Sequence, residues 1–172
     1  MTPNVSFALL DAAVIGGRGD EPVVGTMTHA RLLEEAAALG GVLWHLGVRA
    51  GAPVVIDLES DLEAVVAALA AARVGGVVTT QDRPDAVALV ASAGSTIPTA
   101  GRNRIVHGAP VPEPDLEWDA MIRAGRTDPA ACEVLDSRAA YSPERSVAEQ
   151  IEVLAGSRAP YAAAELRRLL QV

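Results

Sequence analysis

Histidine is the side chain best suited to proton transfer near neutral pH, and this chain has three: His29, His45 and His107. If residues 28–46 form one helix, His29 and His45 lie near its opposite ends, about 24 Å apart at a rise of about 1.5 Å per residue. They can therefore share neither a metal ion nor a proton. We expect each of them to be a capping or surface histidine.

Nucleophilic catalysis finds little support in the sequence. Ser142, His107 and Asp119 could be imagined as a triad, but no Gly-x-Ser-x-Gly elbow surrounds the serine. Cys132 is the only cysteine, which excludes an intrachain disulfide and a zinc site built on cysteines, and we expect a half-buried thiol. All 14 basic side chains are arginines, so no lysine can form a Schiff base or bind a phosphate.

Two short segments are the best candidates for binding an anion. Residues 93–96 are small and polar, and residues 101–104 place Arg102 and Arg104 close together. A weak contact of these arginines with a nucleotide or a CoA phosphate is one reading. The glycine-rich residues 16–19 precede no buried strand and are interpreted as a surface turn.

Composition narrows the class of protein. The chain has 172 residues, 50% of them apolar, and a formal net charge of −8. A chain this acidic repels a phosphate backbone, so we expect no nucleic-acid partner. Neither a signal peptide nor a membrane span is predicted, which leads us to expect a cytoplasmic protein.

The first half of the chain alternates helix and strand signals. Residues 6–15 have helical spacing, with Ser6 as a possible cap, and residues 21–25 favour a short edge strand. Over residues 28–47, apolar side chains recur on one helical face, which Trp44 widens. We therefore expect two helices separated by a turn and a strand.

A βαβ unit is predicted next. Residues 53–58 are apolar and β-branched, as is typical of a buried parallel strand. Ser60 and Glu63 have the spacing of a capping box, residues 62–74 favour a helix, and residues 77–80 favour a second strand. Such a unit implies a right-handed crossover and a parallel sheet.

The signals weaken in the second half. Residues 84–93 repeat the helical pattern, residues 104–107 favour a strand, and three prolines make residues 108–115 a loop. The remaining expectations are a short helix at 116–124, a strand at 139–142, and helices at 146–155 and 160–170. With no repeat or boundary in between, residues 1–172 should form a single α/β domain.

The order of signals between residues 28 and 80 resembles the N-terminal region of adenylate-forming (AMP-binding) enzymes, the acyl-CoA synthetases and adenylation domains. Thr28-His29-Ala30-Arg31-Leu32 stands where that family has Thr-Tyr-x-Glu-Leu, and Gly51-Ala52 where it has Gly-Asp. Ala72-Arg73-Val74-Gly75-Gly76-Val77 matches the family's helix end and valine strand. Glu117 to Ile122 and Ala139 to Ser142 resemble its tryptophan helix and the strand that enters its nucleotide loop.

The resemblance also shows what is missing. The family's Ser/Thr/Gly-rich loop, which ends in Pro-Lys-Gly, binds the ATP phosphates, whereas here Tyr141-Ser142 runs directly into Pro143-Glu144-Arg145-Ser146. The family's later nucleotide motifs and catalytic lysine find no match. No catalytic residue, metal or cofactor is therefore carried over to this chain.

Together these observations predict an α/β fold with a doubly wound, mainly parallel sheet of about five strands flanked by helices, like the N-terminal subdomain of adenylate-forming enzymes. We expect a non-catalytic pseudo-enzyme that works through a protein partner or self-association. The alternative is a small-molecule binder that retains an acyl, nucleotide or CoA pocket. Apolar surface or a sheet edge should be left uncovered where the family has further structure.

Overall fold

The computed structural model describes residues 3–172, and its helices and strands follow the predicted alternation closely as far as residue 79. In chain order the elements are a π-helical segment (Phe7–Asp11), α1 (Ala12–Ile15), β1 (Pro22–Val24), β2 (Met27–Thr28), α2 (His29–His45), β3 (Pro53–Asp57), α3 (Asp61–Arg73), β4 (Val77–Thr79), β5 (Ala88–Ser92), β6 (Asn103–His107), β7 (Leu116–Glu117), α4 (Trp118–Gly125), β8 (Ala140–Ser142), β9 (Arg145–Ser146), α5 (Val147–Ala155) and α6 (Ala163–Leu169).

Five of the strands form one parallel sheet in the order β4-β3-β5-β6-β7. The chain passes from β3 through α3 to β4 on one side, and then returns to place β5 on the other side of β3. This reversal of direction is typical of doubly wound α/β folds. The predicted α/β class and the five-stranded parallel sheet are confirmed.

One face of the sheet packs against a layer of helices. Alternate strand residues, among them Val54, Val90 and Ile105, join the main apolar core with side chains of α2, α3 and α6. Helix α3 is the centre of this layer, because every residue from Ala64 to Arg73 is buried. Its alanines allow α2 and α6 to approach closely.

The opposite face of the sheet has a different cover. Val55, Leu89 and Ala91 are fully buried there, and they pack against Ala86 and Ile97, which lie in loops. The apolar surface that we expected to be left uncovered is therefore shielded on this face by the chain's own loops, at residues 80–87 and 93–102.

A buried ion pair attaches the N-terminal segment to the helical layer. The Nη1 atom of Arg73 lies 2.8 Å from the Asp11 carboxylate, and both side chains are largely buried. Asn4 donates to the carbonyl oxygens of Ala72 and Glu133, and its own side-chain oxygen accepts the backbone N–H groups of Ser6 and Phe7. The expected cap at Ser6 is therefore wrong, since Asn4 fills that role.

The first turns of α2 and α3 are capped differently. Thr28 caps α2 by accepting the N–H of Arg31. At α3, however, the Ser60 side chain bonds the carboxylate of Glu63 and makes no cap with the backbone, so no capping box forms. Trp44 was expected on the buried face of α2 and is instead 47% exposed, which is a second error.

The clearest error concerns residues 84–93, where a helix was predicted. Ala88–Ser92 is instead β5, a strand buried along its whole length between β3 and β6. The short helix expected from Leu116 begins two residues later, after β7. Among residues 3–172, no helix is long and apolar enough to cross a membrane.

Candidate functional site

A groove outside the carboxyl ends of the sheet strands is the best candidate for a functional site. In open α/β sheets, ligands bind at that edge, close to the point where the strand order reverses. Here α3 begins just after β3, and α4 begins directly after β7. Between α2, α3 and α4 lies a cavity of about 410 Å³, and a neighbouring cavity of about 500 Å³ shares Met27, Arg31 and Leu62 with it.

The floor of the groove is apolar. Val66 of α3 and Trp118 and Ile122 of α4 are all less than a tenth exposed and line the first cavity. The ring of His107, at the end of β6, packs edge-on against Trp118 with 5.7 Å between the ring centroids. This floor offers an apolar surface to an apolar or aromatic group.

The rim of the groove carries charges that are paired with one another. Arg31 lies 2.6 Å from the Glu35 carboxylate, and Arg126 lies 2.8 Å from the same group, so Glu35 connects α2 to α4. Glu34 accepts the remaining contacts of both arginines. Because the cations and anions balance, the rim favours no strongly charged ligand.

The segment where the resemblance would place the family's phosphate loop is a tight hairpin. β8 and β9 pair antiparallel and are joined by only Pro143 and Glu144. The hydroxyl oxygen of Ser142 accepts the backbone N–H groups of Glu144 and Arg145, and it donates to Gln171 at 2.6 Å. Backbone amides that could otherwise face a phosphate are therefore already bonded within the hairpin.

Neighbouring contacts hold this hairpin against the last helix. The hydroxyl of Tyr141 donates to the carbonyl oxygen of Leu170, and burial raises the pKa of that phenol well above its usual range. Arg145 donates to Gln150 and to the carbonyl oxygen of Leu169. The hairpin is thus a fixed part of the core, and Tyr141 stays neutral at physiological pH.

Arg102 and Arg104, the predicted anion contacts, lie on the loop-covered face of the sheet. Arg102 bonds Asp82 at 2.6 Å and the carbonyl oxygens of Arg83 and Pro98. Arg104 faces Asp115 at 3.5 Å and donates to the carbonyl oxygen of Ser95. The structure places both side chains away from the groove, with carboxylates of the chain as partners. Anion binding by these two residues stays a prediction.

The histidines do not come together. His29 is buried and its Nδ1 atom lies 3.0 Å from the carbonyl oxygen of Glu21, while His45 bonds Asp128 on the surface at 2.8 Å. His107 lies 3.9 Å from Glu63. Since Ser142 bonds Gln171 and its own hairpin, the imagined triad with His107 does not form.

Cys132 has a thiol of low reactivity. Its sulfur lies 3.6 Å from Asp11, and burial raises the pKa of the thiol to about 12. A thiol with that pKa is protonated at physiological pH and is a poor nucleophile. Among the described residues, no group of three or more histidine, cysteine or carboxylate side chains could hold a metal ion.

Sequence reasoning missed the groove itself. Its lining comes mainly from three helices that are far apart along the chain. In the sequence, the apolar residues of its floor cannot be distinguished from ordinary core residues. The one available signal was the charge pattern of α2, in which Arg31 and Glu35 are one helical turn apart on the solvated side.

Comparison with known proteins identifies the family that this chain resembles. A family model described as AMP-binding enzyme matches residues 11–90, a little less than half of the chain. Over those residues the chain is similar to that family. An acetyl-coenzyme A synthetase of Phycomyces blakesleeanus is 43% identical over 73 residues, which cover 42% of this chain and 11% of that protein. An uncharacterised protein of Pseudomonas aeruginosa is 38% identical over 84 residues and is covered to 13%.

Solved structures of two synthetases share the fold over most of the chain. An acyl-CoA synthetase of Brucella canis superposes with a TM-score of 0.67 at 18% identity, over 81% of this chain and 30% of that one. An acetoacetyl-CoA synthetase of Streptomyces lividans gives 0.65 at 25% identity, over 81% of this chain and 27% of that one. The chain thus corresponds to the N-terminal region of these enzymes and spans less than a third of their length.

Proposed function

We propose that this chain is a non-catalytic relative of the acyl-CoA synthetases and that it acts by associating with a protein, either a partner or a second copy of itself. The observation that carries the proposal is the β8–β9 hairpin. Where the resemblance predicts a long loop around the ATP phosphates, Ser142 and Arg145 are only three positions apart and are hydrogen-bonded to each other.

The electrostatics of the described residues support the absence of adenylation chemistry. Acyl-adenylate formation builds negative charge on a phosphate, and enzymes stabilise that charge with aimed amides and cations. In this chain the hairpin amides are bonded internally, lysine is absent, and Arg102 and Arg104 face carboxylates. In the groove, Arg31 and Arg126 are likewise paired with a carboxylate, that of Glu35.

The direct test is a tagged pull-down from the native host with mass spectrometry of the retained proteins. We expect enrichment of an adenylate-forming synthetase or of untagged copies of this chain, and no ATP–pyrophosphate exchange by the chain alone. If a synthetase is retained, its activity with and without this chain shows whether the association regulates it. Exchange above background by the purified chain would contradict the non-catalytic assignment.

A second candidate, small-molecule binding, is favoured by the groove with its Trp118 floor. Calorimetry with ATP, AMP, CoA and acyl-CoA tests it, and Ile122→Trp, which fills the groove, should abolish any heat observed. Arg158→Glu, on an exposed side chain elsewhere, is the matched control. No heat with any of the four compounds would remove this candidate.

A further inference from the structure

Trp44 is an exposed aromatic side chain that its surroundings hold in place. The ring is 47% exposed, in the last turn of α2. The guanidinium carbon of Arg49 lies 4.2 Å from the ring centroid, and His45 packs edge-on at 5.2 Å. Arg49 in turn donates to the carbonyl oxygens of Trp44 and Val48. A tryptophan held rigid in this way loses little conformational entropy on association, which is characteristic of interface hot spots.

A hollow adjoins this ring on the same face of the molecule. It has a volume of about 280 Å³, and its lining includes Gly41, Val74, Pro129 and Ala130. Gly41 contributes no side chain, because a Cβ there would collide with the carbonyl oxygen of Asp128. The result is a shallow depression beside a projecting indole, in which the paired His45 and Asp128 line the wall together with the apolar residues.

The charges of this face complement each other. Glu133 lines the hollow and is exposed, and it makes no salt bridge with another residue of 3–172. Arg49 beside Trp44 likewise has no carboxylate partner in the described chain, since its bonds go to carbonyl oxygens. The projecting part of this face, at Trp44, therefore carries a cation without a carboxylate partner, and the hollow carries an anion without a cationic partner.

We propose that this surface, the Trp44 face (Trp44, Arg49, Glu133 and the hollow), binds a second copy of the chain. A twofold interface uses the same patch on both subunits, so the patch must complement itself. Trp44 of each copy would enter the hollow of the other, and Arg49 of each would pair with Glu133 of the other. The proposal deepens the association proposed above by naming its surface and its partner.

Charge reversal tests this arrangement on two exposed side chains. Arg49→Glu alone brings two carboxylates together at each proposed contact, and Glu133→Arg alone brings two guanidinium groups together there. Each variant should therefore be monomeric by sedimentation velocity where the natural chain is dimeric. In an equimolar mixture of the two variants, the Arg49→Glu subunit offers two carboxylates and the Glu133→Arg subunit two guanidinium groups, so a heterodimer should form. Restoration by mixing is a result that misfolding cannot produce.

Trp44→Ala measures the contribution of the ring. We expect the dimer dissociation constant to rise at least about 30-fold, the effect of removing a hot-spot residue. Ile15→Ala removes an apolar side chain that is more exposed than Trp44 and lies outside the Trp44 face, and it should leave the constant unchanged. Circular dichroism and thermal unfolding of each variant confirm that it is folded.

A natural chain that stays monomeric at the highest attainable concentration would overturn the proposal, as would a dimer that persists in both single charge variants. Either result leaves the proposed function standing if a synthetase is still retained in the pull-down. Conversely, ATP–pyrophosphate exchange by the chain would contradict the non-catalytic assignment without affecting the dimer. The two failures are therefore distinguishable.

Discussion

The two faces of the parallel sheet are buried to the same degree by different means. On one face, Val54, Val90 and Ile105 pack against helices α2, α3 and α6 in a continuous apolar core. On the other, Leu89 and its neighbours are covered by two loops, and Arg102 anchors those loops through Asp82 and two carbonyl oxygens. Dense side-chain packing stabilises the helical face, whereas directed polar contacts stabilise the loop-covered face.

The difference matters for how each face responds to change. Alanine-rich helices lie so close together that backbone atoms define the contact: a Cβ at Gly125 in α4 would collide with the carbonyl oxygen of Ala38 in α2. Such a layer cannot close over a void, because its backbone cannot approach further. Loops without regular hydrogen-bonded structure can shift to fill space. The helical face should therefore be the rigid half of the domain.

Two buried leucines provide the largest test of this contrast. Leu69 in α3 and Leu89 in β5 are both completely buried, on the helical and the loop-covered face respectively. Leu→Ala substitutions in protein cores cost about 2–5 kcal/mol, with the higher values where the cavity cannot collapse. We expect Leu69→Ala to cost about 4 kcal/mol and Leu89→Ala about 2–3 kcal/mol, measured by denaturant unfolding. Equal costs would show that the loops pack as tightly as the helices.

Arg102 should carry the next largest effect. Arg102→Met removes the donor to Asp82 and to the carbonyl oxygens of Arg83 and Pro98, and we expect a loss of about 2 kcal/mol. Hydrogen exchange should accelerate in residues 80–87 and 93–102 and remain unchanged in α3.

Arg83→Met is the matched control for Arg102→Met. It breaks an exposed ion pair with Asp85 near the same loop and should change neither stability nor exchange measurably. If Arg102→Met leaves the hydrogen exchange of residues 80–87 and 93–102 unaltered, these loops are held on the sheet by apolar packing and not by the arginine.

The contrast between the faces also explains what the sequence could predict. The βαβ unit at residues 53–79 was correct because helix α3 is bounded by strands with β-branched residues and ends at a glycine pair. β5 was taken for a helix because Ala88–Ser92 is buried on both faces, so its residues do not alternate between polar and apolar. Periodicity cannot separate such a run from a buried helix.

The candidate sites also differ in whether the sequence could predict them. The short connection from Ser142 to Ser146 could be recognised because it is a local feature of five consecutive residues, whereas its replacing a phosphate loop stays a prediction. The groove and the Trp44 face could not be predicted, because each is built from segments that only the fold brings together. Trp44 was assigned to the apolar face of α2 by spacing alone, and the hollow beside it is formed with residues 128–131 and 133, which are far away in the sequence.

The smallest expected effect comes from the cap of α5, which belongs to neither face. Ser146 and Glu149 form a complete capping box, and the backbone N–H of Ser146, followed by its hydroxyl, lowers the pKa of Glu149 from its ordinary value of 4.5. Ser146→Ala should cost about 1 kcal/mol. Ser60→Ala at α3 should cost less, because Ser60 makes no bond to the helix backbone.

The pH dependence of that cap follows from the direction of the shift. A carboxyl group whose pKa is lower in the folded than in the unfolded chain stabilises the fold above its unfolded pKa, and that contribution is lost as the pH falls through the folded value. The stability difference between the natural chain and Glu149→Gln should therefore be constant at pH values well above the ordinary pKa of 4.5 and shrink as the pH falls below it. We predicted a single domain, and a single cooperative domain unfolds as a unit, so Ser146→Ala should shift the unfolding midpoint equally for probes on the two faces. A shift seen only near α5 would instead mean that this helix unfolds separately from the sheet and its helical layer.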